Sequence, residues 1–236
     1  MNSRGSFWAN IPPVTKHLLI INFLLWLATI VLQRTAAFDI QDWLGLHYWR
    51  ASDFNAVQLV TYMFMHDSSG IAHVFFNMFS LWMFGGIIER SMGVKRYLFY
   101  YLSCGIGAGL VQELTWELSL ADMVAAVEAG RTVIDGMGSV ITYNDFITVG
   151  ASGAVFGILL AFGYLFPNMP MYIIPFPFPI KAKWMVIGYG LVELLFGVAG
   201  AMDSVAHFAH LGGMIFGFII LWYWRRKGAV GGNGYY

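Results

Sequence analysis

Charge is scarce in this chain: Asp, Glu, Lys and Arg together make up 11% of its 236 residues, against about a quarter in an ordinary soluble domain. Hydrophobic residues make up 58%, and mean hydropathy is +0.66. A water-soluble protein of this size could not cover its surface with so few charges. The formal net charge is zero, so nothing points to nucleic acid. A single cysteine, Cys104, excludes an internal disulfide, and its apolar surroundings read as packing. There is no internal repeat and no pair of broken spans of the kind transporters show. His-Glu-x-x-His is missing, and no carboxylate is expected beside His66, His73, His207 and His210, so no metal and no cofactor is expected. The Gly-x-Ser-x-Gly elbow of soluble hydrolases is missing too.

What the chain has is long apolar runs. A helix needs about 20 mostly apolar residues to cross about 30 Å of hydrocarbon. Six stretches qualify, near 17–33, 71–88, 97–113, 150–166, 184–201 and 205–224. The fold class expected is all-α, a polytopic membrane bundle of six transmembrane helices. The organisation expected is a short cytoplasmic tail over 1–16, one membrane domain over 17–224 with outer loops 34–70 and 114–149, and a cytoplasmic tail over 225–236. The first stretch, with Lys16 ahead of it and Ala36 and Ala37 after it, has the outline of a signal peptide. It is long for one, and Arg34 precedes the cleavage position, so it is read as a retained span. Basic residues set the orientation. Arg4, Lys16, Arg90, Lys95, Arg96, Lys181, Lys183, Arg225, Arg226 and Lys227 fall on one side, and only Arg34, Arg50 and Arg131 on the other. Both termini are therefore expected in the cytoplasm. Residues 114–147 are acidic and half apolar, which suits a short amphipathic helix at the interface, serving either as a structural cap or as a gate.

Strongly polar residues inside spans are costly and suggest function. They are His73, Asn77, Ser152, Glu193, His207 and His210. At 1.5 Å per residue, Ser152, His210 and Asn77 lie roughly 21, 21 and 17 Å above the inner boundary, on three different spans. Ser152, in Gly150-Ala-Ser-Gly153, opens the fourth span, where backbone N–H groups lack helical partners and can bind an anion. That span is near the lower length limit, so its start should lie below the surface beside water. A serine there is either a nucleophile awaiting a base or a small residue on a close-packed helix face. His210 has the chemistry of a general base. Gly153 with Gly157, and Gly213 with Gly217, form two Gly-xxx-Gly faces below these residues, which can draw the fourth and sixth spans together. His73 and Asn77 share one helix face, either as oxyanion donors or as polar glue between helices. His207 reads as a wall or hydrogen-bonding residue, and Glu193 as a buried hydrogen-bonding group or a neutral acid with no assignable partner.

Three pieces, His73-Val-Phe-Phe-Asn77 followed by Gly85-Gly-Ile-Ile-Glu89-Arg90, Gly150-Ala-Ser152-Gly153, and Ala209-His210-Leu-Gly-Gly213-Met-Ile-Phe-Gly217, occur in this order on the second, fourth and sixth spans. Together they resemble the rhomboid intramembrane serine proteases over about residues 15–225. The resemblance implies a Ser152–His210 dyad without an acid. It places Asn77, the Ser152 N–H and His73 at the oxyanion, and Gly150, Gly153, Gly157, Gly213 and Gly217 in close packing at the site. It also implies a water-filled active site open to the outer side and no cofactor. Substrates would be membrane-anchored proteins cut in or near a span within the lipid bilayer, and a bacterial inner membrane is the expected location. The alternative is an inactive relative that binds spans without cutting them. The Trp-Arg pair common in the family's first outer loop aligns with Val57-Gln58, while Trp49-Arg50 stands out of register.

Overall fold

The computed structural model describes residues 7–35, 38–172, 178–199 and 206–230. Arg4, the extreme parts of both expected tails, and the span limits at 201 and 205 lie outside the described residues. Helix dominates, as the apolar runs require, because in hydrocarbon every backbone N–H and C=O must find a partner within the chain.

Helix α1 is Pro13–Thr35. Proline suits its first position, where the missing N–H would have no partner anyway. The first turn is capped from far along the chain. The Glu89 carboxylate accepts from the N–H groups of Val14 (2.9 Å) and Thr15 (2.7 Å) and from the Thr15 hydroxyl (2.8 Å). A negative group at the positive end of a helix is favourable, which accounts for a buried Glu89.

The first long loop carries α2 (Ile40–Leu44), β1 (Leu46–His47) and α3 (Gln58–Thr61). Buried Gln58 clamps it. Its side chain accepts from the N–H groups of His47 (3.3 Å) and Asn55 (3.1 Å) and donates to the carbonyls of Asp53 (2.9 Å) and Trp43 (3.2 Å). Then come α4 (Ile71–Met92), α5 (Val94–Ser119) and α6 (Ala121–Glu128). Helix α4 widens into a π-helical turn at Leu81–Gly85, a local feature often found near functional sites. Strand β2 (Ile147–Thr148) pairs antiparallel with β1, Leu46 facing Thr148 and His47 facing Ile147. This pairing ties the two long loops together just ahead of α7 (Ser152–Leu165). The β3–β4 hairpin (Pro170–Met171 with Ile180–Lys181) precedes α8 (Ala182–Ala199) and α9 (His207–Arg226).

Helix α5 is the centre of the bundle, with Tyr97, Tyr100, Tyr101 and Cys104 fully buried. Helices α7 and α9 pack on it and on each other. The hydroxyl of Tyr100 donates to the Gly157 carbonyl (2.7 Å), and that of Tyr62 to the Gly105 carbonyl (2.6 Å), so these buried phenols are partnered. Helices α1 and α8 turn apolar faces outward, with Phe23, Leu24, Leu195 and Val198 exposed. Those faces belong against lipid, and the chain is an integral membrane protein.

Helices α1, α4, α5, α7, α8 and α9 fall on the six stretches expected from sequence. Among the described residues, α1, α4, α8 and α9 are long and apolar enough to cross a membrane, and α7 is a shorter apolar helix. The second long loop starts later than the expected residue 114. Helix α5 continues to Ser119 because Trp116 is buried and Glu113 and Glu117 bind the first loop there: Glu113 accepts from the Trp49 N–H (2.9 Å) and Glu117 from Arg50 (2.7 Å). The short helix expected in that loop is α6, with Met123 and Val124 buried.

Candidate active site

The site is assembled at the start of α7. Gly150 has φ +136°, a conformation that side-chain-bearing residues rarely adopt. Its N–H donates to the Tyr62 carbonyl (2.9 Å), fixing the chain as it enters the helix. The space a Cβ would occupy on Gly150 is flanked by His73 Nε2 at 2.9 Å and Ser152 Oγ at 3.5 Å. A side chain at this position would crowd His73, so glycine suits it twice over. Ser152 is the first residue of α7. The first intrahelical bond runs from the Val155 N–H to the Ala151 carbonyl (2.9 Å), so the N–H groups of Ser152, Gly153 and Ala154 stand ahead of the helical ladder.

Helix α9 brings an imidazole to Ser152. His210 Nε2 lies 2.8 Å from Ser152 Oγ. The approach depends on the glycines. A Cβ on Gly213 would lie 2.7 Å from the Gly153 carbonyl carbon and closer still to its oxygen. A Cβ on Gly157 would lie 2.5 Å from Cys104 Sγ, and one on Gly217 would collide with the Tyr100 hydroxyl. Cys104 is thus a packing residue. Phe156, one turn below Ser152, stacks on the His210 ring, centroids 4.4 Å apart and planes 5° from parallel. Sequence reasoning did not single out Phe156. Its i, i+4 spacing from Ser152 was the available signal.

The second surprise is Glu193 on α8. The sequence offered it no partner and set no carboxylate beside the histidines. The structure corrects both points. Glu193 Oε2 lies 3.0 Å from His210 Nδ1 and 2.7 Å from His207 Nδ1. The three side chains are largely buried, and their ligand atoms lie within 4.8 Å of one another, close enough to hold a metal ion in principle. His207 therefore acts as a hydrogen-bonding residue.

On the opposite wall, His73 Nδ1 accepts from the Asp67 N–H (3.3 Å). In the neutral ring this leaves the proton on Nε2, the nitrogen beside Gly150. Asn77 is buried one turn on and donates one amide hydrogen to the His73 carbonyl (2.9 Å). Its second N–H remains available. His66 sits behind His73, ring centroids 5.2 Å apart. Burial first, and His73 second, hold the His66 imidazole down to about 3, so it is neutral. Ser152, Asn77 and Phe156 line one cavity of about 720 Å³ that also touches Met83, Leu159 and Tyr189. Its walls are mostly apolar, with Asn77, Ser80 and Ser152 among the polar residues that line it. A serine bonded to an imidazole, beside free N–H donors and an apolar cavity, has the parts needed for acyl transfer.

The comparisons with known proteins agree in kind. A family model for the rhomboid domain matches residues 48–227. The chain is 30% identical over 151 residues to "Rhomboid protein 1, mitochondrial" of Saccharomyces cerevisiae, covering 64% of this chain and 37% of that protein. It is 28% identical over 165 residues to "Rhomboid protease GluP" of Bacillus subtilis, covering 68% and 24%. It is 29% identical over 206 residues to "RHOMBOID-like protein 1" of Arabidopsis thaliana, covering 84% and 40%. The chain thus spans between a quarter and two fifths of the length of these relatives. The match takes in all three sequence pieces around His73, Ser152 and His210, and the chain belongs to the rhomboid family.

Proposed function

We propose that this protein is an intramembrane serine endopeptidase that hydrolyses peptide bonds in or near the membrane spans of anchored proteins. The observation that carries this reading is the 2.8 Å contact between Ser152 Oγ and His210 Nε2 at the head of a short helix. In the proposed reaction His210 Nε2 accepts the Ser152 proton as Oγ attacks the scissile carbonyl. The oxyanion is held by the Ser152 N–H, by His73 Nε2–H and by the free amide hydrogen of Asn77. Collapse of the adduct breaks the C–N bond, and His210 returns its proton to the leaving amine. Water, activated by the same imidazole, then hydrolyses the acyl-serine. The apolar cavity would take the side chains of an unwound span.

The arrangement in the bilayer is part of the proposal. Helices α1, α4, α5, α7, α8 and α9 are the six spans, with the loop between α1 and α4 and the loop between α5 and α7 on the outer side and the basic ends in the cytoplasm. At 1.5 Å per residue α7 is about 21 Å long, shorter than the hydrocarbon, so its Ser152 end lies in a water-filled recess open to the outer side.

The test is labelling of the purified protein in detergent with a fluorescent serine-directed phosphonate, beside Ser152→Ala and His210→Ala. Labelling of the wild type alone is expected. Equal labelling of Ser152→Ala, or none of a folded wild type, would overturn the proposal.

A further inference from the structure

We infer that Glu193 is a positioning residue that completes a serine–histidine–glutamate array, holding His210 in the tautomer and orientation that lets it act as a base. The inference rests on the proposed protease reading and deepens it.

A neutral imidazole can accept the serine proton at Nε2 only if its own proton sits on Nδ1. Something must therefore favour Nδ1–H, and in hydrocarbon water cannot be relied on to do so. Glu193 Oε2 is 3.0 Å from His210 Nδ1, while Nε2 of the same ring is 2.8 Å from Ser152 Oγ. A carboxylate only accepts, so it selects the Nδ1–H tautomer and leaves the Nε2 lone pair facing the serine. When the ring takes the serine proton it becomes a cation, and the carboxylate behind it stabilises that charge. Two further contacts restrict the array. Phe156 stacks on the ring face at 4.4 Å, which limits rotation about the ring axis. His207 Nδ1 lies 2.7 Å from the same Oε2, a second contact that restrains the carboxylate. The geometry matters because Glu193 and His210 lie on different helices. Helix α8 exposes Leu191, Leu195 and Val198, and within the described residues its polar link to the site is this one carboxylate.

The competing role is a plain tether between α8 and α9. A tether affects melting, whereas a positioning group affects the reactivity of Ser152 in a protein that is still folded. The experiment is the rate of phosphonate labelling of the purified full chain, wild type against Glu193→Ala, Glu193→Gln and Glu193→Gly, each with its melting temperature in the same detergent. Glu193→Ala should label on the order of 10²-fold slower or worse, in line with the loss of the acid from soluble triads. Glu193→Gln, of the same shape without the charge, should slow at least about tenfold. Added formate should restore part of the rate to Glu193→Gly, whose missing side chain leaves room for a small carboxylate. If Glu193→Ala fails to fold, the isosteric Glu193→Gln decides. Labelling within threefold of wild type in folded variants would overturn the inference while leaving the protease reading intact. Slowing that formate cannot relieve would assign Glu193 to tethering. Loss of wild-type labelling on chelation would reassign the cluster to a metal ion. Failure of the wild type to label, with Ser152→Ala as reference, is the separate failure of the protease reading.

Discussion

Gly213→Ala places one methyl group where α7 and α9 are closest. The new Cβ would stand 2.7 Å from the Gly153 carbonyl carbon, against the 3.4 Å at which ordinary contact begins, and nearer still to the oxygen. Neither obstacle is the flexible tip of a side chain. Both are backbone, so the helices must part by at least 0.7 Å at this level. His210 is one turn away on α9, and Ser152 adjoins Gly153 on α7. A separation of that size carries the 2.8 Å contact between them to the edge of hydrogen-bonding distance. Two effects follow. Overpacking of this kind costs about 1–3 kcal/mol of stability. Misplacement of reacting groups by about 1 Å costs on the order of 10²-fold in rate. The assay is phosphonate labelling rate together with thermal melting in detergent. Gly188→Ala is the control, because a Cβ on Gly188 meets nothing within 4 Å. Gly213→Ala should melt lower and label on the order of 10²-fold more slowly, while Gly188→Ala should match wild type in both. A Gly213→Ala protein that labels at the wild-type rate would refute the idea that glycine-limited helix approach sets the serine–histidine distance.

Asn77→Ala should lower peptidase activity by about 10²–10³-fold, as loss of an oxyanion donor does elsewhere, and wild-type turnover in this variant would remove the amide from the site. The contact between Arg50 and Glu117 should make the loop attachment acid-sensitive. The Arg50 guanidinium, then the Tyr48 hydroxyl, hold the Glu117 carboxyl down to about 2, from an ordinary 4.5. A lowered folded value means that the stabilisation is present above pH 4.5 and fades as pH falls toward 2. Melting of the wild type should therefore drop over that interval, and melting of Glu117→Gln should drop less. Parallel curves for the two proteins would show that the pair contributes nothing.

Much of this architecture is legible in the sequence because a membrane simplifies the reading. Hydrocarbon forces the backbone into helices and makes every polar group within them conspicuous. The positions of α1, α4, α5, α7, α8 and α9 follow from apolar runs alone. The closeness of α7 and α9 follows from Gly153, Gly157, Gly213 and Gly217, because glycines at that spacing permit close approach wherever the partner helix lies. Ser152 and His210 could be paired for the same reason. The loops are a different matter. The extension of α5 to Ser119 is driven by Glu113 and Glu117 reaching Trp49 and Arg50, residues more than sixty positions away. No local pattern announces such a bond. The role of Gln58 is equally invisible, since its partners are mostly backbone groups 5 to 15 residues away in a long loop.

Glu193 shows where sequence reasoning in a membrane protein meets its limit. The cost of burying a carboxylate says that it must have a partner, and depth says roughly where that partner lies. Neither identifies the face on which the residue points, because α8 is apolar nearly all round and its rotation is set by contacts rather than by pattern. Rotated by half a turn, the same helix would direct Glu193 at lipid, and the same sequence would describe a dyad with no third member. In the structure Glu193 faces His207 and His210, which lie three residues apart on one face of α9 and converge on a single oxygen. The carboxylate meets both rings at once, and in this rotation of α8 it stands behind His210.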